Sequence, residues 1–265
     1  MLSNINKIGF IGCGKMGSAI ISGVLKSGNS NIIGAEADSE IARSASERLG
    51  ITVVTEPGVV VEASDIIFVA LKPQYVLSVL QEVKDKCRGK LIVSVAAGVT
   101  TKKIESVLPT VSVIRVMPNT PALIGEGVFG IAKGSLATEE QVEIIISLLS
   151  NIGECVLIEE SQIDIVTALS GSGPAFFYKV IEEMAQGAVK LGLDYDKALK
   201  LATKTAIGSA KMIEQSELSV QNLISNVATK GGCTAVGVDY MNEVHTETLF
   251  AELINVTTQK AAALG

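Results

Sequence analysis

The chain has 265 residues, of which 48% are hydrophobic and 19% are charged, and its formal net charge is −6. This composition is typical of a globular protein, and the lack of a basic block argues against nucleic acid or an anionic membrane surface as a partner. No apolar run approaches the ~20 residues of a membrane span, and the N-terminal stretch MLSNINKIGFIG lacks the long apolar segment of a signal peptide. We therefore expect a cytoplasmic protein.

The cysteines and the single histidine give no basis for a metal site. Cys13, Cys87, Cys155 and Cys233 lie without CxxC spacing, so neither a zinc site nor a disulfide framework is indicated. One histidine, His245, cannot hold a metal by itself. We expect no metal, and any catalysis has to proceed almost without histidine.

Short apolar runs alternate with helical patterns through the first 160 residues. The runs KIGFIG, NIIGAE, DIIFVAL, KLIVSVAAG and SVIRVMP are nearly continuous in apolar residues, which is typical of parallel strands buried on both faces. Two further runs, GVFGIAKG and ECVLIEE, follow them. Helical spacing is found in GSAIISGVLKSG, SEIARSASERLG, QYVLSVLQEVKDKC and TTKKIESVLP. This alternation predicts an α/β fold, with an N-terminal Rossmann domain of doubly wound sheet over residues 1–160.

After residue 160 the strand pattern stops and 3.6-residue apolar periodicity takes over, from QIDIVTALSGSGPAFFY to ETLFAELINVTTQKAAAL. Helices such as ALKLATKTAIGSA are apolar on more than one face, and such helices are usually buried, often against another subunit. We therefore expect residues 161–265 to form an all-helical dimerisation domain, in a homodimer at least.

The stretch KIGFIGCGKMGSAII predicts a dinucleotide-binding loop, because Gly12, Gly14 and Gly17 follow a strand and open a helix. Gly12 allows the tight turn, Gly14 lets the backbone approach the pyrophosphate, and Gly17 permits close helix–strand packing. Glu36 ends the second strand, where a carboxylate accepts hydrogen bonds from the ribose 2′-OH and repels a 2′-phosphate. This favours NADH over NADPH, although Arg43 is near enough in sequence to reach a phosphate.

Three motifs end predicted strands, where open α/β sheets place their ligands: VALKPQ, VAAGVT and IRVMPNTPALIGEG. Together with VTALSGSGPAFFY and the segment KGGCT, they resemble pyrroline-5-carboxylate reductase, the last enzyme of proline synthesis. The resemblance covers essentially the whole chain in the right order, and RVMPNTP and SGSGPA are its most specific motifs.

The resemblance implies hydride transfer from NAD(P)H to the C=N carbon of 1-pyrroline-5-carboxylate, giving L-proline, in an enzyme whose dimers often assemble into larger rings. The residues implied to bind the cofactor are Gly12, Cys13, Gly14, Lys15, Met16, Gly17, Glu36, Ala70, Leu71, Lys72, Pro73, Ala96, Ala97, Gly98 and Asn119. Those implied to bind the substrate, between two subunits, are Ser170, Gly171 and Gly173 of one and Gly231, Gly232 and Cys233 of the other. Lys230, which precedes this glycine pair, is a further candidate for the substrate carboxylate. The hydroxyl of Thr234 is implied to bond the imine nitrogen, and the hydroxyl of Ser172 or a water is the other candidate for that bond.

Two adjacent glycines, Gly231 and Gly232, interrupt the helical pattern of the C-terminal region just before the segment CTAVGVDYMNEV. Free backbone N–H groups at such a helix start can converge on a substrate carboxylate, although a simple interhelical turn is the other interpretation. The family usually has Ser-Pro-Gly-Gly here, whereas this chain has Thr229 and Lys230 in place of Ser and Pro. Lys230 adds a positive charge beside the expected anion site, where it either tightens carboxylate binding or points to solvent, as most lysines do.

Two other functions remain open on the sequence alone. A protonated imine is already an electrophile, so the lack of a suitable histidine agrees with imine reduction better than with alcohol dehydrogenation. A β-hydroxyacid dehydrogenase shares this domain arrangement, and Lys179 is the one candidate for its catalytic lysine near SGSGP, but the surrounding motif does not match. The second alternative is a non-catalytic nucleotide-sensing protein on the same fold.

Overall fold

The computed structural model describes residues 7–264. The expectation about a signal peptide falls partly on residues 1–6, which lie outside the described residues, as does residue 265. Within 7–264, no helix is both long enough and apolar enough to cross a bilayer. The strands are, in chain order, β1 (Ile8–Ile11), β2 (Ile32–Ala35), β3 (Thr52–Val54), β4 (Ile66–Val69), β5 (Leu91–Ser94), β6 (Ser112–Met117), β7 (Gly127–Lys133) and β8 (Gly153–Leu157).

All eight strands form one sheet in the order β3-β2-β1-β4-β5-β6-β7-β8. The pairings from β3 to β6 are all parallel, whereas β7 runs antiparallel to β6 and β8 runs parallel to β7. The strand order reverses between β1 and β4, which is the point where doubly wound sheets bind their ligands. The predicted Rossmann sheet is therefore confirmed, including the parallel direction of the five apolar runs.

Alternate residues of the central strands enter two separate apolar clusters. Phe10 of β1 stacks on Phe68 of β4, with ring centroids 4.8 Å apart, in one cluster, whereas Ile11 and Val69 belong to the other. Side chains of successive residues in a strand point to opposite faces. Both faces of the sheet are therefore covered, which explains why these strands have no polar alternation in the sequence.

Six helices belong to this part of the chain: α1 (Lys15–Lys26), α2 (Ser39–Leu49), α3 (Pro57–Ala63), α4 (Pro73–Val83), α5 (Thr101–Val107) and α6 (Glu139–Leu149). Helices α3 and α6 and the short strand β3 were not predicted from the sequence. A capping box between Thr138 and Gln141 opens α6, and this pattern was the available signal. The strand β3 has three partly or fully exposed residues, too few to show periodicity.

The chain from residue 160 to residue 171 passes through three helical types in succession. A 3₁₀ turn at Glu160–Gln162 leads into α7 (Ile163–Val166) and then into a π-helical turn at Thr167–Gly171. The N–H of Ser172 donates to the carbonyl of Thr167 at 2.8 Å, the spacing that defines a π turn. Such turns are frequent at functional sites, and this one contains Ser170 and Gly171, the first two residues of the SGSGPA motif.

The remaining helices are α8 (Gly173–Lys190), α9 (Tyr195–Gln215), α10 (Val220–Val227), α11 (Cys233–Glu243) and α12 (Thr246–Ala262). The helix predicted after Gly232 is confirmed as α11. Two compact units are distinguished, one of residues 7–172 with 256–264 and one of Gly173–Asn255. The domain boundary expected near residue 160 marks the change from strands to helices and stays a prediction.

The unit of residues Gly173–Asn255, here called the helical unit, buries very little of its apolar surface within one chain. In α10 and α11 no residue is buried, and in α8 the buried residues are Gly173 and Ala185. Large apolar side chains are instead exposed, with Phe177 and Val227 at 67% and Val236 at 69%. Exposed apolar surface on this scale marks an interaction surface. A second subunit is the partner that the helical pattern predicts.

We expect the purified protein to have the mass of at least a dimer of its 27.6 kDa chain, as measured by light scattering. Introducing Leu201→Glu with Ile207→Glu, at exposed apolar positions of α9, should reduce that mass, because burying unpaired carboxylates is costly. Lys204→Glu on the same helix is the matched control and should leave the mass unchanged. A monomeric wild type would contradict this interpretation.

Candidate active site

The glycine loop lies at the switch point between β1 and β4 and is shaped by close backbone contacts. Gly12 has φ +99°, and a Cβ at this position would lie 2.5 Å from the carbonyl oxygen of Ala70. A Cβ on Gly17 would lie 2.2 Å from the carbonyl oxygen of Gly12. Only glycine fits at either position, so the roles predicted for Gly12 and Gly17 agree with the geometry.

Gly14 differs from these two glycines because a Cβ added to it would meet no atom within 4 Å. It is the N-cap of α1 and no side chain caps the helix there. The first N–H groups of a helix have no intrahelical acceptor, and they attract anions. Gly14 and Lys15 are exposed, so this helix start fits the pyrophosphate of a dinucleotide, with Met16 half-buried behind it.

Glu36 is joined directly to the glycine loop. Its Oε2 accepts a hydrogen bond from the N–H of Cys13 at 3.1 Å, and its Oε1 accepts one from the N–H of Ala37 at 3.2 Å. A carboxylate offers about four lone-pair sites, so these two contacts leave capacity for ribose hydroxyls. Glu36 therefore braces the loop from the position at which the sequence predicts ribose binding.

The side chain of Cys13 points away from the loop's open side and fills space against β2. It is 1% exposed, and its Sγ lies 3.8 Å from the carbonyl oxygen of Ala35. Burial, with a smaller contribution from Glu36, raises the pKa of this thiol to about 11. The thiol is therefore neutral near pH 7 and adds no negative charge beside the free N–H groups at the start of α1.

Two polar side chains that the sequence analysis did not select also hold the loop. The hydroxyl of Ser18 donates to the carbonyl oxygen of Cys13 at 2.8 Å, and Arg48 Nη2 donates to that hydroxyl oxygen at 3.0 Å. Ser18 lies on α1 and Arg48 at the end of α2. The loop is thus held from two sides, and Arg48 contributes positive charge near it.

The residues after β4 and β5 lie at the same edge of the sheet as the glycine loop. The N–H of Ala70 donates to the carbonyl oxygen of Ile11 at 2.8 Å, which places Ala70 beside the loop. Leu71 follows, Lys72 is an exposed N-cap, and Pro73 opens α4. The third segment, Ala96 to Gly98, follows β5, with Ala96 and Gly98 buried and Ala97 partly exposed.

The RVMPN and SGSG motifs meet at the end of β6. Asn119 is only 7% exposed; its Nδ2 donates to the hydroxyl of Ser170 at 3.4 Å, and its Oδ1 accepts from the N–H of Val128 at 2.9 Å. A Cβ on Gly171 would lie 3.6 Å from Met117 Sδ. An amide nitrogen has two hydrogens, and the Ser170 contact uses one of them. Ser172 follows directly, as the C-cap of the π turn.

In the helical unit, Gly231 and Gly232 form the turn that precedes α11. Gly231 has φ +79°, a conformation that favours glycine. Gly232 is the N-cap of α11 with no side-chain cap, and its N–H donates to the carbonyl oxygen of Thr229 at 2.9 Å. Lys230 and Cys233 are exposed. The turn therefore leaves the start of α11 without a side-chain cap, an arrangement suited to binding an anion.

Thr234 follows in the first turn of α11 and is partly buried. It also lines an apolar groove of about 690 Å³ formed with residues of α9 and α10. Lys179, the residue on which the β-hydroxyacid dehydrogenase alternative depends, is an exposed lysine on α8 paired with Glu183. That hydrogen bond raises the pKa of Lys179 and keeps its ammonium charged.

One ion pair near this edge, between a buried arginine and a partly exposed glutamate, was not recognised from the sequence. Arg115 of β6 is 1% exposed and its Nη1 lies 3.0 Å from Oε1 of Glu160. An arginine inside an apolar strand was the available signal, since a buried charge requires a partner. Among residues 7–264, no three or more His, Cys, Asp or Glu side chains are grouped so that they could hold a metal ion.

Comparisons with known proteins agree over the length of the chain. The family model described as pyrroline-5-carboxylate reductase dimerisation matches residues 160–264, and one described as NADP oxidoreductase, coenzyme F420-dependent, matches residues 7–98. The pyrroline-5-carboxylate reductase of Methanosarcina acetivorans is 39% identical over 264 residues, covering 98% of each chain.

Two solved structures are similar over nearly their full length. The pyrroline-5-carboxylate reductase of Coxiella burnetii has a TM-score of 0.92 at 28% identity, covering 99% of both chains. The pyrroline carboxylate reductase of Plasmodium falciparum, solved with NADP bound, has a TM-score of 0.88 at 29% identity, covering 99% of this chain and 98% of that one.

Substituting two glycines of the loop should separate folding from cofactor binding. Gly14→Ala should unfold at the wild-type temperature, because its Cβ meets no atom, yet bind NAD(P)H about tenfold more weakly, since the methyl group occupies the pyrophosphate approach. Gly17→Ala should lower the melting temperature, because its Cβ clashes with the backbone of Gly12. Calorimetry and fluorescence titration measure the two effects. Wild-type cofactor affinity in Gly14→Ala would exclude the predicted role of this residue.

Proposed function

The chain belongs to the pyrroline-5-carboxylate reductase family, and we infer that it reduces 1-pyrroline-5-carboxylate to L-proline with NAD(P)H. The observation that carries the inference is the meeting of Asn119 and Ser170 at the edge of the sheet where β1 and β4 place the glycine loop. Two specific motifs and a dinucleotide loop at one sheet edge suit a hydride transfer to a small substrate. The matches reported above favour neither alternative function.

On the cofactor side, we propose that the start of α1 binds the pyrophosphate through the backbone of Gly14, Lys15 and Met16. Ala70 to Pro73 then line the ribose and nicotinamide side, and Ala96 to Gly98 lie behind the ring. Asn119 has an N–H beyond its Ser170 contact for the carboxamide. When bound, NAD(P)H supplies the hydride that reduces the C=N carbon.

On the substrate side, the turn at Gly231 and Gly232 is proposed to bind the carboxylate through backbone N–H groups at the start of α11. The exposed ammonium of Lys230 adds a favourable charge next to that turn. Cys233 contributes its backbone at the first position of the helix. Thr234 bonds the ring nitrogen, and the segment from Ser170 to Gly173 lines the substrate, with the hydroxyl of Ser172 as a second candidate for the nitrogen.

This proposed site has no acid–base pair, and the chemistry does not demand one. A protonated cyclic imine accepts a hydride directly, so the protein's contribution is mainly alignment. Holding two reactants in near-attack geometry supplies roughly 7–11 kcal/mol. Backbone N–H groups that fix the carboxylate also fix the ring, and a hydroxyl at the nitrogen sets its orientation.

The proposal is tested by initial rates of NADH and NADPH oxidation with 1-pyrroline-5-carboxylate at neutral pH. We expect turnover by the wild type, and a kcat/KM lowered by about tenfold to a hundredfold in Thr234→Ala, the range for one lost hydrogen bond at a reacting atom. Thr234→Ser keeps the hydroxyl and is the matched control. Nucleotide binding without any turnover would favour the sensing alternative, and unchanged kinetics in Thr234→Ala would remove its role.

We further propose that Glu36 makes NADH the preferred cofactor, because its carboxylate repels a 2′-phosphate. Glu36→Gln keeps an oxygen for the N–H of Cys13 and removes the charge. The kcat/KM ratio of NADPH to NADH should then rise at least about tenfold, as expected when a like-charge contact is removed. Glu40→Gln, in the exposed first turn of α2, should not change the ratio. An unchanged ratio in Glu36→Gln would show that another residue selects the cofactor.

The helical unit is proposed to form the homodimer, in keeping with its exposed apolar side chains and with the dimerisation model that it matches. A ring of dimers, which the family resemblance implies, would give a mass several times that of the dimer in the light-scattering measurement above. The cytoplasmic location stays a prediction, to be checked by cell fractionation.

A further inference from the structure

Arg115 occupies an unusual place for a charged side chain. It lies within β6, paired in register with Ser94 of β5 and Ala132 of β7, and all three residues are at most 1% exposed. Taking a guanidinium out of water carries a large penalty that only a well-placed partner offsets. The carboxylate that pairs with Arg115 therefore has to be held close to the guanidinium.

That partner, Glu160, joins three segments through one oxygen. Its Oε1 accepts from Arg115 Nη1 at 3.0 Å and from the N–H of Thr101 at 3.0 Å. Thr101 is the first residue of α5 and follows the segment Ala96–Gly98. Glu160 also begins the 3₁₀ turn that leads to α7. The carboxylate thus connects β6, the segment after β5 and the segment that carries Ser170.

The chain between Glu160 and Ser170 is fixed to the sheet along its length. Ile163 packs with Met117 and Ala132 in a small apolar cluster, with Val166 against it. At the far end, Asn119 donates to the Ser170 hydroxyl at 3.4 Å. The segment is therefore held to β6 and its extension at both ends, by an ion pair at one and a neutral hydrogen bond at the other.

The ion pair is poorly suited to stability alone. Among the described residues, Nε and Nη2 of Arg115 and Oε2 of Glu160 are buried without a hydrogen-bond partner. Replacing such a pair with apolar side chains of similar volume is often neutral or stabilising. A directional contact that joins Arg115, Thr101 and Glu160 is better explained by the positions that it imposes on the segments it connects.

We propose that Arg115 and Glu160 are positioning residues that hold the π turn carrying Ser170 and Gly171 against the end of β6, so that this turn is aligned for the imine substrate. The inference rests on the proposed function. In this proposal the pair acts through the segment between Glu160 and Ser170 and through the Asn119 contact at its far end.

The test compares the wild type with Arg115→Met, Glu160→Leu and the double variant that carries both changes. Each protein is measured for melting temperature, NADH affinity, KM for 1-pyrroline-5-carboxylate, and hydrogen–deuterium exchange of the peptide spanning residues 166–172. Arg115→Lys with an intact Glu160 is the conservative variant and keeps the charge. If the double variant does not fold, Arg115→Lys and Glu160→Gln provide the same measurements.

The double variant should melt near the wild-type temperature and bind NADH with unchanged affinity. Its KM for the imine should nevertheless rise about tenfold, as expected for a small misplacement of a substrate-positioning segment, and its 166–172 peptide should exchange faster. Arg115→Lys should fall between the double variant and the wild type. These results separate positioning from stability, because a merely structural role would move the melting temperature and leave KM unchanged.

A folded double variant with wild-type KM would overturn the proposal, whether or not its peptide exchanges faster. Failure of the proposed function has a different signature, namely a wild type that turns over no imine. In that case exchange alone decides, and unchanged exchange of the 166–172 peptide in the double variant would overturn the positioning role.

Discussion

The close approach of backbone segments between β1, β4 and α1 is the constraint on which the candidate site depends. No side-chain carbon fits at Gly12 or Gly17, because carbonyl oxygens lie 2.5 Å and 2.2 Å from where it would be. This contact brings the start of α1 directly over the strand switch point. The loops after β4, β5 and β6 end at the same edge, so their positions relative to the glycine loop follow from the sheet register.

Around that constraint, polar side chains serve in more than one role. Glu36 accepts a hydrogen bond from the glycine loop at the position where a cofactor ribose is expected, and Asn119 fixes both the start of β7 and the Ser170 turn. If Glu36 selects the cofactor as proposed, cofactor choice and loop integrity are linked through a single carboxylate. A residue introduced at position 36 to admit a phosphate would also have to provide an acceptor for the N–H of Cys13.

Much of the Rossmann domain could be predicted from the sequence because local pattern determines it. Continuous apolar runs indicate buried parallel strands, and the spacing of Gly12, Gly14 and Gly17 indicates the loop. The direction of β7 could not be predicted, since it depends on how the connection after Asn119 turns back. The pairing of Arg115 with Glu160 was equally hidden, because a charged residue in a strand shows that a partner exists but not which residue it is.

The π turn at Thr167–Gly171 has a consequence for how the length of this segment can vary. A π turn accommodates one more residue than the α-helical path around it, and each helical residue advances the side-chain direction by about 100°. Deleting one residue here would restore a regular helix and rotate Ser170 away from Asn119. Substitutions in the segment are tolerable wherever the packing allows. A change of even one residue in its length, in contrast, changes the direction in which every later side chain of the SGSGPA motif points.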